Sequence, residues 1–119
     1  MDFTKKIKKN KQLIVAEIGQ SHDGSLNYVH SFIDECHKSG ADVIKFQAHF
    51  AEEESTLNER FRTKTSHKNE TRFDYWRRMQ FTNKEWFQIY KHVKSKKLLF
   101  STSVFSDYAI NFINKIGID

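Results

Sequence analysis

Short apolar runs alternate along this chain with longer stretches in which apolar positions recur every three or four residues. The run Leu13-Ile14-Val15-Ala16 leads into Glu17 and Ile18, and after a polar break Leu26, Val29, Phe32, Ile33 and Cys36 follow helical spacing. The first pattern predicts a strand over about residues 12–18, near-continuously apolar as in a parallel sheet buried on both faces. The second predicts a helix with Ser25 as its N-cap and Gly40 at its end, joined to the strand by a loop that turns at Asp23-Gly24. The same grammar then repeats. Asp42 to Gln47 predicts a second strand and Leu98 to Thr102 a third. Thr82-Asn83-Lys84-Glu85 has the form of a capping box ahead of a helix that carries Trp86, Ile89, Tyr90 and Val93 on one face, to about Lys96. Ser106 caps a last helix with Ile110, Ile113 and Ile116 on one face, and Gly117 ends it. Ile118-Asp119 looks like the opening of a fourth strand that is not completed.

Two segments lack such order. Residues 1–11 read as a basic, polar leader without a period, and Ala48 to Gln80 is the least regular stretch. The latter is too long for an ordinary connection and too rich in charge and aromatics for a flexible linker, which is the profile of an active-site loop on a β/α scaffold. Three strand-helix units in a row make a parallel α/β protein the predicted class. A closed barrel of eight such units needs roughly 250 residues, so residues 12–119 would hold about three units, a little under half.

Composition narrows the classes. A length of 119 residues allows one domain at most, and an apolar fraction of 38% is lean for an independent core. Eleven Phe, four Tyr and two Trp supply the aromatic burial that a disordered chain lacks. The net charge of +5 is concentrated in Lys5, Lys6, Lys8, Lys9 and Lys11, a run read here as a solvated tail in preference to a nucleic-acid or membrane-surface patch. Cys36 is the one cysteine, so no intrachain disulfide can form, and a reducing, cytoplasmic setting is expected. Neither an 18-residue apolar stretch nor the apolar core of a signal peptide is visible, which argues against membrane insertion and secretion.

Candidate chemistry lies where charge meets the apolar runs. A charged side chain at the end of a strand built to be buried costs several kcal/mol unless it is paired or meets a ligand. Glu17 ends the first run and Lys45 the second, with Gln47 two residues on and so on the same strand face as Lys45. In β/α folds ligands sit at the carboxyl ends of the strands. The competing reading is structural: a salt bridge between Glu17 and Lys45 across adjacent strands, or a lysine that snorkels to the rim.

Three motifs carry a family resemblance. Ala16-Glu17-Ile18-Gly19-Gln20-Ser21-His22-Asp23-Gly24-Ser25 resembles the opening signature of the sialic acid (N-acetylneuraminate) synthase family. Ser39-Gly40-Ala41-Asp42-Val43-Ile44-Lys45-Phe46-Gln47 is similar to that family's second strand, and Phe100-Ser101-Thr102-Ser103-Val104-Phe105 to its third. In many members a proline follows the threonine; Ser103 stands there in this chain, which has no proline at all. The resemblance implies the N-terminal part of a TIM barrel. It implies an enzyme that joins phosphoenolpyruvate to N-acetylmannosamine or a related amino sugar, releases phosphate and yields a nonulosonic acid. It also implies a divalent metal, manganese or magnesium, that polarises the sugar aldehyde.

On that resemblance Glu17 lies at the amino-sugar end of the site, where it accepts from hydroxyls or relays a proton, and Lys45 faces phosphoenolpyruvate. Gln47 contacts the sugar. Thr102 offers a hydroxyl to the phosphate, with Ser101 sharing that role, although both are also common strand-end residues. His22 and His49 are read as satisfied loop histidines and not as metal ligands, since the family takes its metal histidines from later strands. The cluster Arg72, Phe73, Asp74, Tyr75, Trp76, Arg77, Arg78 resembles the long loop after the second strand in bacterial members; a single-stranded nucleic-acid platform is the weaker alternative. Family members are homodimers whose C-terminal domain reaches into the partner's site. The expectation is therefore an N-terminal synthase fragment that does not catalyse the condensation alone. The alternative is a non-catalytic half barrel that binds an anion or is completed by a partner.

Overall fold

The computed structural model describes residues 3–10, 12–63 and 70–119. The three apolar runs become three strands, β1 (Val15–Gly19), β2 (Val43–Ala48) and β3 (Leu99–Val104), each a residue or more later than the apolar pattern suggests. They form one parallel sheet in the order β1-β2-β3. The helices, numbered in chain order, are α1 (Phe3–Asn10), α2 (Leu26–Lys38), α3 (Ala51–Glu54), α4 (Arg72–Met79), α5 (Asn83–Ser95) and α6 (Asp107–Ile116).

Local chemistry fixes the helix starts. Ser25, Thr71, Thr82 and Ser106 each accept a hydrogen bond from the amide three residues on, which satisfies one of the free N–H groups of a first turn. At Thr82 the box is complete: the Glu85 carboxylate also accepts the Thr82 N–H at 2.8 Å. Gly117 caps α6 as its position suggested.

One face of the sheet is the core. Ile44, Phe46, Ala48 and Phe100 meet Val29, Ile33 and Cys36 of α2, Trp86, Ile89 and Val93 of α5, and Ala109 and Ile113 of α6. Phe46, Trp86 and Phe100 interlock with ring centroids 6.1–6.5 Å apart. Burial of each such ring stabilises the fold by about 1.5–3 kcal/mol. Period-two alternation then assigns the opposite face to Glu17, Lys45, Gln47, Ser101 and Ser103.

Three expectations need correction. Residues Phe3–Asn10 are helical, with Lys6 held to Asp42 at 3.0 Å across the start of the sheet, so most of the lysine-rich leader is an ordered element; Lys11 lies outside the described residues. Ala48 to Gln80 is not uniformly irregular, because α3 and α4 form within it; residues 64–69 lie outside the described residues. β1 is not buried on both faces: it pairs only with β2, and Val15 is 47% exposed. Asp119 lies against the start of β3, where a fourth strand would open; its carboxylate accepts the Phe100 N–H at 2.9 Å and pairs with Lys94 at 2.6 Å.

Candidate active site

Parallel pairing sets Glu17 opposite Lys45, and Lys45 opposite Ser101, so the three form one cross-strand row. The Lys45 ammonium lies 2.7 Å from Glu17 Oε2. Both side chains stay open to solvent, 37% and 45% exposed, so the pair lies within reach of a ligand at the sheet surface. At this exposure the pair contributes little to stability, since solvent screens it and two long side chains must be ordered to form it. Its position at the strand ends is thus not explained by folding energy.

A bulge follows immediately. Glu17 pairs with Lys45 but Gly19 pairs with Phe46, so Ile18 is the extra residue, and Gly19 takes φ +53 to close the irregularity. Gly19 also keeps a small space open: a Cβ there would meet Gln47 Nε2 at 3.6 Å and Glu17 Oε1 at 3.7 Å. Gln47 and Glu17 therefore border the same hollow. Gln47 pairs with Ser103 and its side-chain oxygen accepts from Gln20 Nε2 at 3.2 Å.

Of the residues anticipated from sequence, the structure groups Glu17, Lys45, Gln47 and Ser101 on one face. Thr102 falls elsewhere: it pairs with Phe46, on the alternate side of the sheet, and its hydroxyl donates to the Ser103 carbonyl at 3.0 Å. Ser101 and Ser103 are the hydroxyls that share the face of Lys45.

The loop after β1 is pinned from above. Gly24 takes φ +77, and a Cβ there would lie 2.1 Å from the Arg78 carbonyl oxygen, so α4 packs directly on this turn. The Arg78 guanidinium closes the contact with Asp23 at 2.6 Å and Glu70 at 2.9 Å. Arg72 and Arg77 are likewise paired, with Glu59 and Glu52, so the guanidiniums of the basic-aromatic cluster are engaged within the chain. His22, fully buried beneath the loop, accepts the Gly24 N–H on Nδ1 at 3.0 Å. Its Nε2 has no protein partner among the described residues, and loss of water around the ring pushes its pKa down to about 4.

His49 is the residue whose surroundings the sequence least announced. It is satisfied on both nitrogens, by Glu54 at 2.6 Å and Gln47 at 3.2 Å, and stacked between Trp76 and Phe105. Alternation from Lys45 through Gln47 is the signal that places it on the site face. Among the described residues no group of three or more His, Cys, Asp or Glu converges as metal ligands would. The described residues therefore do not form a site for the divalent ion the resemblance implies. An apolar hollow of about 600 Å³, lined by Phe87, Tyr108, Phe112 and Ile116, lies on α5 and α6, on other residues than these. No helix among the described residues is long and apolar enough to cross a membrane.

Comparison with known proteins bears on the family and the fold. The model of the NeuB family matches residues 32–119. N,N'-diacetyllegionaminic acid synthase from Campylobacter jejuni is 26% identical over 111 residues, covering 91% of this chain and 33% of that protein. Human N-acetylneuraminate-9-phosphate synthase is 25% identical over 113 residues, covering 88% and 30%. The crystal structure of N-acetylneuraminic acid (sialic acid) synthetase from Leptospira borgpetersenii, in complex with citrate, superimposes with a TM-score of 0.70 at 27% identity, covering 89% of this chain and 33% of that one. Spore coat polysaccharide biosynthesis protein spsE from Bacillus subtilis, at 22% identity and a TM-score of 0.59, shares the fold. The chain spans about a third of the length of the curated relatives it matches.

Proposed function

Because the chain belongs to the NeuB family, we propose that its sheet is the opening part of a (β/α)8 synthase barrel and that Glu17, Lys45, Gln47 and Ser101 form part of a site for phosphoenolpyruvate and an N-acetylated amino sugar. The reaction in this reading joins the two substrates and releases phosphate to give a nonulosonic acid. Relatives named as synthases of legionaminic acid and of N-acetylneuraminate 9-phosphate support the class. The observation that carries the proposal is the exposed Glu17–Lys45 pair at 2.7 Å, held by strand register at the carboxyl ends of β1 and β2.

The two groups divide the work by charge. Lys45, a compact ammonium, exchanges part of its contact with Glu17 for a carboxylate or phosphate oxygen of phosphoenolpyruvate. Glu17, released on that side, accepts from sugar hydroxyls or takes a proton. Ser101, beside Lys45 in the same row, donates to the same anion. Thr102, which leaves β3 on the alternate side of the sheet, takes no part in this reading. A divalent manganese or magnesium ion belongs to the proposal as one held by residues other than those described. So does assembly into a homodimer, and so does the expectation that residues 1–119 alone do not turn over.

The test is a chimaera in which residues 12–119 replace the matching third of a full-length synthase. It is expected to release phosphate from phosphoenolpyruvate in the presence of N-acetylmannosamine. Lys45→Ala and Glu17→Ala should each lower kcat/KM by about 10²-fold or more, with the circular dichroism spectrum kept. Turnover within twofold of the parent in either variant removes that residue from the site.

A further inference from the structure

The site face of β2 continues beyond the strand end to His49, and the polar chain built there is buried far more deeply than Lys45. His49 is 3% exposed, and the side chains of His49 and Glu54 are 4% and 6% exposed. Two parallel rings clamp the imidazole, Trp76 at 3.7 Å and Phe105 at 4.2 Å between centroids, each within 9° of its plane. Glu54 Oε1 lies 2.6 Å from Nδ1, while Oε2 accepts the Phe50 N–H at 2.6 Å, so the carboxylate is fixed at both oxygens. Nε2 lies 3.2 Å from Gln47 Oε1, which also accepts from Gln20.

A buried pair of this kind is poorly explained by stability, because apolar side chains of the same volume would hold the strand end as well. What it does supply is direction. A carboxylate only accepts, so Nδ1 carries a proton toward Glu54, and the stacked rings leave the imidazole no freedom to turn. With the oxygen of Gln47 drawn to Nε2 and to Gln20, its NH2 group is left facing the hollow at Gly19, beside Glu17 Oε1.

We propose that His49, anchored by Glu54 and clamped between Trp76 and Phe105, is a positioning residue: it donates through Nε2–H to the Gln47 oxygen and so fixes the Gln47 carboxamide with its NH2 toward the substrate hollow. The site then presents a donor, Gln47, next to an acceptor, Glu17, which suits a hydroxyl or acetamide group that needs one of each. This consequence rests on the reading of Gln47 as a substrate contact. The positioning itself does not.

The experiment is therefore done on the chain without sugar, by ¹⁵N NMR of the imidazole nitrogens and of the Gln47 side-chain NH2. In the parent chain Nε2 of His49 is expected to carry a proton; a bare Nε2 overturns the proposal. His49→Phe keeps a ring in the aromatic slot but has no donor. It is expected to shift the two Gln47 NH2 resonances and speed their exchange with water, and unchanged resonances overturn the proposal. Glu54→Gln separates donation from charge. Its oxygen stays on the Phe50 N–H and its NH2 faces Nδ1, which leaves the imidazole proton on Nε2. The Gln47 resonances are expected to stay at their parent positions in that variant, and a change as large as in His49→Phe overturns the proposal.

Discussion

At the scale of single residues, the site and the fold can be perturbed separately. Lys45 and Glu17 are partly exposed, so Lys45→Ala should change unfolding free energy by no more than about 1 kcal/mol, measured by urea titration. In the chimaera the same substitution is expected to lower kcat/KM by about 10²-fold or more, and a loss of several kcal/mol in stability would make the pair structural instead. His22 behaves in the opposite way. Its folded pKa, lowered by burial to about 4, lies below the 6.5 of the exposed ring, so the unfolded chain binds the proton first as pH falls. The stability His22 contributes is complete above pH 6.5 and is lost as pH falls toward 4. From pH 7 to pH 5 that loss is about 2 kcal/mol. His22→Asn, whose oxygen can accept the Gly24 N–H as an Asx turn does, should flatten the slope; an equally steep slope in the variant would place its origin elsewhere. Glu17 and Lys45 were legible in the sequence because each is a charge ending an apolar run, and Gln47 because it is two residues from Lys45. His49 was visible but its role was not, since its partners Glu54, Trp76 and Phe105 come from α3, α4 and the turn after β3.

At the scale of elements, the capped helices were legible and α4 was not. Ser25, Thr82 and Ser106 precede clear apolar stripes, whereas α4 buries only Phe73 and Met79 and reads as a run of charges and rings. What holds α4 is contact with residues far apart in sequence: the Asp23-Gly24 turn, Glu52 of α3 and His49. Gly24→Ala tests the docking on that turn. A methyl group at φ +77 is strained by about 1–2 kcal/mol from the backbone alone, and here it would also meet the Arg78 carbonyl, so the total should exceed that range and α4 should lift from the turn. Faster hydrogen exchange across Arg72–Met79, with α5 unchanged, is the expected signature. Thr82→Ala is the local counterpart. Loss of the capping box should cost about 1 kcal/mol without changing exchange in α4, and a cost near zero would show that the box is redundant with the burial of Trp86 and Ile89.

At the scale of the whole molecule, the sheet carries the core on one face and has β1 and β3 at its edges. Its radius of gyration, 15.3 Å, exceeds the roughly 13.5 Å expected of a closed domain of this length. The parallel order of the strands was legible because strand and helix patterns alternate, but their edge character was not. An apolar run such as Leu13 to Ala16 reads the same whether one neighbour covers it or two, and only pairing shows that β1 has β2 on one side. Val15 at the start of β1 is 47% exposed, and Ile14 just before it 60%. Exposed apolar edge strands pair with other chains unless charge or a bulge prevents it, and on β1 the bulge lies at the Gly19 end, away from Val15. The 119-residue chain is therefore expected to self-associate through this edge, its sedimentation coefficient rising with concentration. Val15→Lys places a charge on the open edge at a position that is already half exposed, so it should shift the distribution toward monomer without lowering the unfolding midpoint. A parent chain that sediments as one monomer at all concentrations and unfolds in a single cooperative step would show that the edge is protected. The covering element would then have to come from the chain itself, with α1, already tied to the sheet by Lys6 and Asp42, the segment placed to supply it.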